Sequence, residues 1–171
     1  MKTFLIVISI VLGLGFVPCS KAQDDPCVRS IPEPMLDHKL FKDAKFILNK
    51  KKRIGIETVT LPNGDKLKLE NCGCETFTIL FTLSSSKTEF SKSKLDVCYV
   101  TAAQTLTEIS HNNKMPWTIR RIVGILKKCS SHPPKLGKEI NIEPGEIPTA
   151  FVMDSISDKH TIHFHISTGP L

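Results

Sequence analysis

Cys72-Gly73-Cys74 and His163-Phe164-His165 each set two identical, metal-capable side chains two residues apart. Two residues is the strand repeat, so each pair leaves one face of an extended segment. Paired thiolates suit a metal, a redox couple or two disulfides. Paired imidazoles suit a metal, and Asp154 or Asp158 on the preceding segment would add oxygen ligands. Cys98 and Cys129 complete a set of four thiols. Structural zinc sites favour Cys-x-x-Cys knuckles, and redox pairs want Cys-x-x-Cys at a helix start. The chain contains neither pattern.

The compartment helps to decide what the cysteines do. Met1-Lys2, an apolar run from Phe4 to Val17 and Ser20-Lys21-Ala22 form a charged start, a hydrophobic centre and a small-residue cleavage site. The reading is a signal peptide over residues 1–22 and a periplasmic or secreted product. Pro18 directly before Cys19 argues against a lipid anchor there, and no second apolar run is long enough for a transmembrane segment. Removing 22 of the 171 residues leaves 149, a size that suits one core. In an oxidising compartment disulfides are the ordinary fate of Cys72, Cys74, Cys98 and Cys129. The expected arrangement pins each of two helices, through Cys98 and Cys129, to the strand that carries Cys72 and Cys74. Such bonds would contribute roughly 3–4 kcal/mol each. Cys27 is then left over. The parity of Cys72 and Cys74 opposes that of Phe77 and Ile79, so either the helices cover the cysteine face or, the favoured reading, Gly73 marks a bulge that flips the register.

The elements that must position these residues follow from periodicity. Residues 23–33 are rich in proline and form an extended arm, followed by a single domain over 34–171. Leu36, Leu40, Phe41, Ala44, Ile47 and Leu48 fall at helical spacing, which predicts a helix over 34–50 ending in Lys50-Lys51-Lys52-Arg53. Alternating runs at 56–61 and 66–69 flank Pro62-Asn63-Gly64-Asp65, a hairpin with Asn-Gly at the centre of a type I′ turn. Residues 77–83 alternate as a strand. Ser93-Lys94-Leu95-Asp96 offers a capping box for a helix to about 110, and Pro116 opens a second helix with Ile119, Ile122, Val123, Leu126 and Cys129 on its buried stripe. Residues 130–146 read as a loop, and 147–156 with 161–166 as a closing hairpin. The order is α-β-β-β-α-α-β-β, an α+β domain with an antiparallel sheet of about five strands, helices packed on one face and disulfides pinning them.

Without Lys2 and Lys21 the chain carries 21 basic and 17 acidic residues. The basic excess gathers between His111 and Lys138, where no acid occurs. Trp117, Arg120, Arg121, Lys127 and Lys128 on the second helix therefore form the candidate partner-binding face. The bland alternative is a solvated helix face. Aromatics interleaved with the cations are missing, which argues against nucleic acid. No nucleophile elbow, His-Glu-x-x-His helix, phosphate loop or dinucleotide turn is present, and no cofactor is called for. The combined reading is an exported, non-enzymatic binding protein with a protein partner in the envelope, an inhibitor or immunity protein acting on an envelope-targeted toxin or hydrolase. The alternatives are a metal-binding protein or metallohydrolase using His163 and His165, and a structural envelope component.

Overall fold

Strict alternation of apolar and polar residues, with threonine, isoleucine and phenylalanine frequent, drives most of this chain into strands. A computed structural model describes residues 31–72, 77–111, 118–143 and 149–168. The elements in chain order are β1 (Lys45–Asn49), β2 (Ile54–Thr60), β3 (Lys66–Cys72), β4 (Phe77–Ser84), α1 (Leu95–Ser110), α2 (Thr118–Cys129), β5 (Glu139–Glu143), β6 (Thr149–Asp158) and β7 (Thr161–Thr168). The strands form one antiparallel sheet of seven in the order β1-β2-β3-β4-β7-β6-β5. Each half is a meander of adjacent hairpins, and the chain passes from one half to the other through the two helices. β7 returns to close against β4.

The register aligns one face of the sheet as the core. Leu69, Phe81, Phe164 and Met153 stand opposite one another across β3, β4, β7 and β6. All four are at most 1% exposed. Phe81 stacks on Phe164 with ring centroids 4.8 Å apart, and Phe151 meets Phe164 at 5.5 Å and Tyr99 of α1 at 6.1 Å. Tyr99, Leu106 and Ile109 of α1 and Ile119, Ile122 and Leu126 of α2 join the same core. Fully burying each such side chain contributes about 1.5–3 kcal/mol.

Two features of the expected architecture are corrected. The sheet has seven strands, not about five. The helix expected over 34–50 is replaced by isolated turns and the edge strand β1. Leu40 and Phe41 each donate an N–H to the Asp37 carbonyl, and Ala44 donates to the Phe41 carbonyl. These turns reproduce helical spacing without continuing into a helix. Lys39 N–H goes to the Asp37 carboxylate at 2.9 Å, a local bond that competes with helix propagation. Pairing of Lys45–Asn49 with β2 then supplies the non-local partner. The second missed strand, β5, reads Glu-Ile-Asn-Ile-Glu, an alternation visible in the sequence but masked by the prolines around it.

The disulfide pins are also overturned. Cys98 and Cys129 are free thiols, and no disulfide joins two described residues. Cys72 is bonded as a disulfide whose partner lies on neither helix. The reason is the parity noted above. β3 pairs with β4 without a break from Lys66 to Cys72, which leaves Cys72 on the face opposite Leu67 and Leu69 and so opposite the helices. Cys74 and Gly73 lie outside the described residues, as do Cys27 and the signal peptide expected over residues 1–22.

Hydrogen bonds tie the segment before β1 to the sheet. Glu57, 2% exposed on the core face, accepts the N–H of Met35 at 2.8 Å and of Leu36 at 3.2 Å. This fastens the segment before β1 over the β2 end of the sheet. The β2–β3 connection differs in detail from expectation. Gly64 N–H donates to the Leu61 carbonyl at 2.8 Å, so Pro62 and Asn63 are the central residues, and Gly64, at φ 90°, follows them. Proline presets the first position of a type I turn and glycine takes the left-handed position after it. In the β1–β2 loop that left-handed place is taken by Arg53, at φ 50°, a conformation costing about 1 kcal/mol for a residue with a Cβ.

Candidate functional site

The face of the sheet away from the helices carries the histidines. His163 and His165 alternate on β7 with the buried Ile162, Phe164 and Ile166, so both project to the outer face, as their spacing predicts. Across the ladder His163 stands opposite Thr82, and His165 opposite Leu80. Thr82 Oγ1 lies 3.2 Å from His163 Nδ1.

The other side of each ring is held by β6, and two irregularities make this possible. The β6–β7 register shifts between Met153 and Ser155 and again between Ile156 and Asp158. The residues extruded are Asp154 and Ser157. A bulged residue is turned out of the regular alternation, and here each one reaches a histidine. Asp154 Oδ1 and Oδ2 lie 2.8 and 3.0 Å from His165 Nδ1. Ser157 Oγ lies 3.0 Å from His163 Nε2. Lys68 and Glu70, paired at 2.6 Å on β3, complete the polar band.

These contacts give the two imidazoles different chemistry. The Asp154 carboxylate accepts the Nδ1–H of His165, so in the neutral ring Nε2 is a lone-pair acceptor, with no hydrogen bond to a described residue. Such a nitrogen can take a proton or a metal ion. His163 is engaged by hydroxyls at both nitrogens. Burial holds its pKa below the usual imidazole value, against the pull of Asp154 and Asp158 and with a smaller push from Lys68. Among the described residues no three His, Cys, Asp or Glu side chains gather as a metal ion requires. Asp158 is directed elsewhere: it accepts the N–H of His160 at 2.7 Å and shapes the β6–β7 turn. That bond is the main reason its carboxyl titrates below its usual range.

The expected partner face is laid out by α2. Ile119, Ile122, Val123 and Leu126 are buried, while Arg120, Arg121, Lys127 and Lys128 are exposed. The lysines sit in the last turn, where the helix dipole favours positive charge. Ser130 and Ser131 hydroxyls donate to the Lys127 and Lys128 carbonyls at 2.7 and 2.9 Å and so finish the helix end. Trp117 lies outside the described residues. No described helix is long and apolar enough to cross a membrane.

Thr82, Ser157 and the grip of Asp154 on His165 are not foreseen from the sequence. One signal does exist: the apolar positions of β6 change parity, from Phe151 and Met153 to Ile156, and a change of parity inside one strand marks an extra residue. No protein-family model matches this chain, and no curated protein or solved structure matches it either.

Proposed function

We propose that this is an exported, non-enzymatic binding protein that presents the outer face of α2 to an acidic protein partner in the envelope, as an inhibitor or immunity protein would. Gly124 carries the reading. Arg120 and Arg121 precede it by four and three residues, and Lys127 and Lys128 follow it by three and four. Those are the helix-surface neighbours of position 124, so four exposed cations ring a position without a side chain. A Cβ at Gly124 would meet no atom within 4 Å. A glycine inside a helix costs about 0.5–1 kcal/mol relative to alanine, and nothing in the fold explains it here. An acidic segment laid on this face gains close approach to the helix backbone and four charges around it. Envelope location rests on the leader-like residues 1–22 and is part of the proposal.

The test compares wild type, Gly124→Ala and the Arg120→Glu/Arg121→Glu pair in affinity capture from an envelope fraction. Gly124→Ala is expected to raise stability by about 0.5–1 kcal/mol in urea unfolding while weakening capture. The charge reversal abolishes it. Capture that is indifferent to both changes, or no partner at all, overturns the reading.

The Asp154–His165 pair favours a second reading, a metal-handling protein. A carboxylate that orients an imidazole is the usual outer support of a histidine ligand. The dual hydroxyl grip on His163 weighs against it as a second ligand. Stoichiometric zinc or copper in the purified protein, lost in the His163→Ala/His165→Ala variant, would reverse the order of the two readings.

A further inference from the structure

The connection between β1 and β2 is Lys50-Lys51-Lys52-Arg53, four cations and nothing else. All four are exposed at the tip of the hairpin. Lys50, Lys51 and Lys52 form no ion pair with any described residue. The loop is nonetheless built to one shape. Asn49 Oδ1 accepts the Lys52 N–H at 3.0 Å, and Arg53 adopts the left-handed backbone at φ 50°. Glycine or asparagine ordinarily fills such a place. This chain keeps a fourth cation there despite the strain and despite repulsion from its neighbours. Like charges crowded into one short turn repel each other, and a local cost of that kind points to a role outside the fold.

What lies behind the tip narrows the partner. Ile47 of β1 is 67% exposed and stands opposite Ile56 of β2, with the half-exposed Ile54 beside the loop, all on the outer face of the sheet. β1 is an edge strand, so no further described strand screens it. A soluble polyanion would use the cations and leave the isoleucines in water. An anionic bilayer uses both, phosphates pairing with the lysines and apolar side chains resting at the boundary of headgroups and acyl chains.

We propose that the β1–β2 hairpin is a docking finger for an anionic phospholipid surface, with Lys50, Lys51, Lys52 and Arg53 facing the headgroups and Ile47 behind them. The surface is separate from the α2 face, and neither proposal depends on the other.

Flotation with vesicles tests it. The chain is expressed in an exporting host and used as recovered, its amino terminus read by mass spectrometry. Vesicles of equal parts phosphatidylglycerol and phosphatidylcholine are compared with pure phosphatidylcholine. The protein is expected to float with the anionic vesicles alone and to be released by salt. Each Lys→Gln change at 50, 51 or 52 lowers partitioning about fivefold, and the triple change about a hundredfold. Arg53→Gly lowers it by a similar factor, with glycine able to keep the left-handed backbone of the loop. Ile47→Thr lowers it further, and Arg120→Glu/Arg121→Glu leaves it unchanged. Three results would each overturn the proposal: a triple lysine variant that floats like wild type, equal loss on reversing the α2 charges, or an Ile47→Thr variant that binds as wild type while heparin competes fully.

Discussion

Glu57 is the residue whose removal tests the account of the fold most directly. Its carboxylate is 2% exposed and accepts the N–H of Met35 at 2.8 Å and of Leu36 at 3.2 Å. Leu36 is fully buried, so its N–H has no access to water once the acceptor is gone. A hydrogen bond to a charged acceptor contributes about 1.5–3 kcal/mol, and a donor left buried and unpaired incurs its full desolvation penalty. Two such bonds place Glu57→Ala at roughly 3–5 kcal/mol of destabilisation. That is a large share of the about 5–15 kcal/mol that holds a typical domain. Glu57→Gln keeps one acceptor oxygen but turns an amide donor toward two others, and about 2 kcal/mol is expected. His38, 3.4 Å from the carboxylate but with a side chain 47% exposed, should matter by less than about 1 kcal/mol when changed to alanine. Urea unfolding followed by circular dichroism reads the midpoints. Trypsin reads the location, because Lys39 and Lys42 are exposed and become cleavable when the segment before β1 lifts. If Glu57→Ala costs under about 1 kcal/mol and the digestion pattern is unchanged, the carboxylate is not what holds this segment.

Other consequences can be checked in the same preparations. His163 has a native pKa held below its usual 6.5 by burial, so the unfolded chain binds the proton more readily. The stabilisation that follows is complete above the unfolded value and is lost as pH falls through the native one; His163→Gln is expected to flatten the decline in urea midpoint between about pH 7 and pH 5. Tyr99 has a buried hydroxyl with no partner among the described residues and a pKa raised to about 12 by burial, with smaller effects from Cys129 and Cys98. Tyr99→Phe should therefore raise stability by about 1 kcal/mol, and a loss of similar size would show that the hydroxyl is paired. Alkylation of native protein should label the partly exposed Cys129 and spare the buried Cys98 until denaturant is added, whereas two thiols blocked as disulfides would restore the pinned architecture. Asp65, 4% exposed, accepts the Ser85 hydroxyl at 2.8 Å, the Ser86 N–H at 3.2 Å and the Asn63 amide at 2.9 Å. Asp65→Ala is expected to cost about 2–4 kcal/mol in the same unfolding assay.

Where the sequence reading succeeds and fails follows from the range of the forces involved. Alternation around Pro62-Asn63-Gly64 announces β2 and β3, and the same rule places His163 and His165 together on one face of β7. The stripes of α1 and α2 separate buried Leu106 and Ile122 from exposed Arg120 and Lys128 as their spacing says. These are one-element patterns, in which a residue needs to know only which side of its own strand or helix faces water.

Phe41, Ala44 and Leu48 show the limit, because two turns and a strand can imitate helical spacing until a neighbouring strand competes for the backbone. β1 exists because β2 offers it a ladder, and that offer is not local. The expected sulphur bridges failed for a similar reason: Cys98 and Cys129 face the core from the helices, while Cys72 lies across the sheet on its other side. The sequence by itself determined which side chains are buried along β4, β7, α1 and α2, since period and polarity are properties of a single segment. The tertiary structure alone decided the order of seven strands and the two bulges that turn Asp154 and Ser157 onto the histidines, because register is fixed between segments far apart in the chain.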